Sequence, residues 1–208
     1  MKDKILKIIH GSIQSEPIYL LEFEYRKLLD QKDKDEFLAI IKSIAISGNK
    51  KERFACLTII EMLGTAKESE EVVKTNVNSI NLKNGELLIS PLLTLCGIIS
   101  KKWAIDFIRK VIIEYKPDHN KYSYLFNIAI NCLIPTPYWN EIIEEIDFAL
   151  INNDEAYFID FFAYFRWKRS EDDLRKLMIN LTEENVRKIS ILKSNIEERY
   201  KNNYMMLK

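Results

Sequence analysis

Glu61, Thr94, Asn127 and Asp160 stand 33 residues apart, and each interrupts an otherwise apolar run. Their flanks align as "LTIIEMLG", "SPLLTLCG", "SYLFNIAI" and "AYFIDFFA". The two residues before each polar position are large and apolar, and the residue after it is Met, Leu, Ile or Phe. Three positions further on come Gly64, Gly97, Ile130 and Ala163, mostly small. An interval of this length, with room for two helices per unit, marks a stack of helical repeats.

Apolar periodicity supports helices throughout. In "DEFLAIIKSIAI" the residues Phe37, Ile40, Ile41 and Ile44 recur at the 3.6-residue period, and Gly48 follows as a stop. "KKERFACLTIIEMLG" is a second helix, stopped by Gly64. In "SPLLTLCGIIS" the sequence places Ser90 as a cap and Pro91 in the first helical position. "KKWAIDFIRKVIIEY" ends before Pro117, and "NKYSYLFNIAINCLI" ends before "PTP". "PYWNEIIEEIDFALI" and "DEAYFIDFFAYFRWK" form another pair, and Ser170 with Asp173 makes a capping box for "SEDDLRKLMINL". "TEENVRKISILKSNIEERY" closes the chain. Short bridges between these segments favour antiparallel neighbours. Only five Gly and five Pro leave few tight turns for a many-stranded β fold.

On this period and hydrophobic pattern, residues 33–169 resemble the HEAT and armadillo class of repeats. The resemblance implies an all-α, right-handed α-solenoid of antiparallel helix pairs. The chain is then a single repeat domain over 1–208, with 1–32 and 170–208 as capping helices. It also implies that second helices line a concave, partner-binding face; armadillo proteins carry Asn ladders that grip an extended peptide. On such a face Ser123, Asn127 and Asn131 share one helix, and Ala156, Asp160, Tyr164 and Trp167 another, with Tyr157 beside them. Phe158, Phe161, Phe162 and Phe165 point away, toward the core. Asn127, Asn131, Tyr157, Asp160, Tyr164 and Trp167 are the expected partner-binding residues. The competing expectation is that ladder groups bridge helices inside the stack.

Charge narrows the partner. Lys plus Arg and Asp plus Glu each number 31, so the chain lacks the basic surplus of a general nucleic-acid binder. From Tyr122 to Phe165 there is no Lys or Arg, while Glu141, Glu144, Glu145, Asp147, Asp154, Glu155 and Asp160 are acidic. Tyr122, Tyr124, Tyr138, Trp139, Tyr157 and Tyr164 are interleaved with them. Aromatics with acidic charge suit a basic protein partner.

No phosphate loop, dinucleotide fingerprint, nucleophile elbow or zinc-protease motif occurs. His10 and His119 sit far apart and cannot build a zinc site without help from scattered thiols. Cys56, Cys96 and Cys132 read as buried thiols of a reducing compartment. The start, "MKDKILKIIHGSIQS", reads as an amphipathic helix, and the apolar run "LLISPLLTLCGIIS" is shorter than the about 20 residues of a bilayer span.

The expectation is a cytoplasmic, non-catalytic interaction module without cofactor, metal, nucleic acid or membrane. It would be an inhibitor or immunity protein for a cognate toxin, or an adaptor in a larger assembly. The alternative comes from "FAYFRWKRS", whose Tyr164, Phe165 and Trp167 alternate with Arg166, Lys168 and Arg169. That composition suits a flipped base, and HEAT-like glycosylases for alkylated bases share the architecture.

Overall fold

A computed structural model describes residues 1–11, 16–83 and 86–189. All regular structure among them is helical, with no strand. The chain forms two compact units, Met1–Pro117 and Asp118–Lys208.

The first unit contains α1 (Lys2–Gly11), α2 (Glu16–Lys27), α3 (Gln31–Ser47), α4 (Lys50–Met62), α5 (Glu70–Ser79), α6 (Glu86–Ile99) and α7 (Lys102–Tyr115), with a 3₁₀ turn at Lys67–Ser69. The amphipathic start is realised in α1, which buries Ile5 and Ile9, and its expected continuation over 12–15 lies outside the described residues. Asp30 caps α3 through the Lys32 amide, and α3 buries Phe37, Ile41, Ile44 and Ala45. Gly48 ends it, its amide donating to the Ile44 carbonyl at 2.8 Å. A Cβ at Gly48 would meet that same oxygen at 2.6 Å, so close approach of the chain requires glycine here. Asn49 and Glu52 then form a reciprocal capping box that opens α4. Gly64, at φ +68°, turns the chain out of α4 in the left-handed region that glycine tolerates.

Packing within this unit is layered: α3 lies on α4 and α5, while α6 lies on α4, α5 and α7. Asn76 of α5 ties layers together from a fully buried position. Its amide donates to the carbonyls of Ala45 (3.0 Å) and Val72 (2.9 Å), and its oxygen accepts from Arg53 Nε (3.0 Å) and Nη2 (2.6 Å).

One expectation fails in α6. The helix is already under way at Glu86, and Pro91 lies inside it. Ser90 is not its cap; the Ser90 carbonyl accepts from the Thr94 hydroxyl at 3.4 Å. The buried run Leu88, Ile89, Leu92 and Leu93 spans the proline. Burial of these side chains outweighs the single ladder hydrogen bond that proline removes.

The second unit contains α8 (His119–Leu133), a 3₁₀ turn at Trp139–Ile142, α9 (Ile143–Asn152), α10 (Glu155–Lys168) and α11 (Glu171–Ile179), then helical residues 183–189. The expected continuation of that last helix, 190–208, lies outside the described residues. Tyr122 departs from helical geometry (φ −120°, ψ 23°), so the first turn of α8 is set off from the rest. Asp154 caps α10 by accepting from the Tyr157 amide at 2.8 Å. Ser170 and Asp173 form the expected capping box of α11. The α10 stripe Phe158, Phe161, Phe162 and Phe165 is buried, and Trp139 meets Phe165 edge-on with centroids 5.2 Å apart. Asp147 of α9 holds the last described helix. Its carboxylate accepts from the Thr182 amide (2.9 Å), the Thr182 hydroxyl (3.2 Å) and Asn185 Nδ2 (2.7 Å).

Candidate functional site

The four ladder residues lie on α4, α6, α8 and α10, every second helix of the chain. Their surroundings differ. Glu61 is half-buried, and burial pushes its carboxyl above the ordinary range. Thr94 is half-buried with its hydroxyl turned back onto the helix. Asn127 is half-buried and engaged internally, whereas Asp160 is exposed.

Asn127 explains its own place in an apolar turn. Its Nδ2 donates to Asn153 Oδ1 at 3.1 Å, and Asn153 Nδ2 lies 3.4 Å from Asn127 Oδ1. The Asn153 amide also donates to the Ala149 carbonyl at 2.7 Å and approaches His119 Nε2 at 3.5 Å. The amide nitrogen has two hydrogens for these three acceptors, and the His119 contact is the longest of them, so it does not fix the ring tautomer. Nδ1 is buried without a hydrogen-bond partner among the described residues. The ring lies edge-on to Phe126 and Phe148, at 5.2 and 5.5 Å. Burial accordingly lowers the His119 pKa below its ordinary value, favouring the neutral ring. This chain of contacts joins the start of α8, its middle and the end of α9.

The remaining expected residues divide between interior and surface. The Asn131 Oδ1 and Tyr157 hydroxyl are buried without hydrogen-bond partners among the described residues. Burial pushes the Tyr157 phenol well above its ordinary range. Tyr164 is half-buried, and its phenol is raised by burial first and by the Cys132 thiol second. Trp167 is 59% exposed, its ring 6.1 Å from that of Tyr164 at 67°. The structure therefore brings Tyr164 and Trp167 together and leaves Asp160 on the surface of the same helix.

The cations that follow are engaged. Arg166 donates to Glu171 at 2.9 Å, and Arg169 pairs with Asp173 at 3.1 Å while its guanidinium lies 5.3 Å from the Trp139 ring centroid. Lys168 Nζ sits 3.3 Å from the Trp167 centroid. Two of the seven acids serve the fold, Asp154 as a cap and Asp147 as the anchor of residues 182 and 185. Glu141, Glu144, Glu155 and Asp160 are exposed, and Glu145 is half-buried. Tyr124, 68% exposed on α8, adds an aromatic side chain to the surface of this unit.

Among the described residues no cluster of three or more His, Cys, Asp or Glu is placed to hold a metal ion, and no helix is long and apolar enough to cross a membrane. Cys56 and Cys96 are buried as expected, but Cys132 is only half-buried. No protein-family model matches the chain, and no curated protein or solved structure shows significant similarity to it.

Proposed function

We propose that this all-helical chain is a non-catalytic interaction module, built from HEAT-like helix pairs, that binds a basic protein through its second unit. The carrying observation is the division of α10 into two faces. Phe158, Phe161, Phe162 and Phe165 are buried, while Asp160 and Trp167 are exposed and Tyr164 is half-buried. The face lies in and just beyond a stretch without Lys or Arg. Its aromatics would supply contact area, and the surface acids would steer a basic partner. The repeat reading draws support from the first unit, where α3 lies on α5 and α4 on α6 as alternate helices of a stack would. Masking a basic toxin, as an inhibitor or immunity protein does, is the use we propose for this face.

The test is a titration of the full chain against fluorescent oligo-arginine and oligo-glutamate peptides, with single- and double-stranded DNA in parallel. Preference for the cationic peptide is expected, weakening as salt rises from about 0.01 to 0.15 M. Asp160→Asn should reduce it without changing thermal unfolding. Equal binding of both peptides would overturn the reading. Excision of an alkylated base, abolished by Trp167→Ala, would replace it with a glycosylase activity.

A further inference from the structure

Trp167, Tyr164 and Lys168 form a small device at the C-terminal end of α10, where Trp167 is exposed and the other two are half-buried. The Lys168 ammonium lies 3.3 Å from the Trp167 ring centroid and 5.8 Å from that of Tyr164. Arg166 and Arg169 on either side are each paired with a carboxylate of the following helix. Among the described residues Lys168 has no acidic partner, and its ammonium lies against the two rings. A Trp face attracts a cation weakly at an exposed site and more strongly once water is excluded. The chain's own lysine, on a ring 59% exposed, is in the weak regime. A cation delivered by a docking protein surface would be in the strong one. Asp160, Tyr164 and Trp167 follow at i, i+4 and i+7, so a carboxylate stands on the same helical face as the rings.

We propose that Trp167 and Tyr164 form a reader for a Lys or Arg side chain of the partner, and that Lys168 is a built-in competitor holding the site in the free chain. The proposal rests on the basic-partner reading and names the group recognised. Binding then proceeds by exchange: Lys168 leaves the Trp167 face for solvent as the incoming cation takes it.

Lys168→Gln removes the competitor and also one positive charge, so Lys176→Gln, exposed on α11, controls for charge alone. In anisotropy titrations of the full chain with oligo-arginine, Lys168→Gln should tighten binding about threefold more than Lys176→Gln does. Trp167→Leu should erase that difference. Equal effects of the two glutamine variants would overturn the competitor, leaving only general electrostatics and the basic-partner reading intact. Weaker binding by Lys168→Gln would also overturn it, by showing that Lys168 contacts the partner. Wild-type protein that binds oligo-arginine no better than oligo-glutamate would overturn both proposals.

Discussion

Truncating Phe161 to Ala tests the orientation of α10 on which the candidate face depends. Phe161 is 2% exposed and lies within an aromatic cluster, 5.4 Å from Phe162 at 80° and 6.0 Å from Phe165. Loss of buried area costs about 2–3 kcal/mol. Loss of the edge-to-face pairing with Phe162 adds about 0.5–1.5 kcal/mol. The total, about 3.5 kcal/mol, falls in the usual range for emptying an aromatic core site. The assay is urea unfolding followed by Trp139, which is 3% exposed and packed on Phe165, in a Trp103→Phe, Trp167→Phe background. Because the chain forms two compact units, this signal is assigned to the second unit and not to one global transition. With a slope near 2 kcal/mol per molar, the midpoint should fall by about 2 M. A shift below about 0.5 M would mean that Phe161 is not a core residue, and the faces assigned to α10 would be reversed.

Asn76→Ala should destabilise the first unit by about 2–4 kcal/mol, because it removes the acceptor of two Arg53 donors and leaves the Ala45 carbonyl, in the last turn of α3, without its side-chain donor; a melt within a degree of wild type would contradict this. His119 carries a sign-definite pH effect. Burial holds its folded pKa below the ordinary 6.5, so the unfolded chain binds the proton more readily. The stability due to neutral His119 is complete above that pH and is lost as pH falls toward the folded pKa; His119→Gln should flatten this part of the unfolding profile followed at Trp139. Cys56, raised to about 12 chiefly by burial, should resist alkylation at pH 8 until the chain unfolds. Half-buried Cys132 should label sooner, and the reverse order by mass spectrometry would refute the assignment.

Much of the local structure was legible because its causes are local. The 3.6-residue spacing, the stops at Gly48 and Gly64, and the Ser170–Asp173 box each act within a few residues. Pro91 misled because Ser-Pro is a good helix start in isolation. What overrode it was burial of Leu88, Ile89, Leu92 and Leu93 across the proline, which is a tertiary effect. The Phe stripe of α10 was legible by the same periodicity, and with it the outward placement of Asp160 and Trp167. The partner of Asn127 was not legible, since Asn153 lies 26 residues away at the end of another helix. Nor could the sequence separate Asp147, consumed by Thr182 and Asn185, from the acids left on the surface. The cap Asp154 carries a readable signal, an Asp directly before "EAYF".

The reciprocal amides of Asn127 and Asn153 constrain how such a sequence can change over generations. Each is the other's donor and acceptor, so replacing either by an apolar residue leaves its neighbour's polar groups under-served in a half-buried place. Replacing both by residues of similar volume removes the need and the supply of the two amides together, and forfeits only the long contact to His119. Single substitutions at either position would therefore be purged more readily than the double one. In descendants of this chain the two asparagines should be inherited, or lost, as a pair.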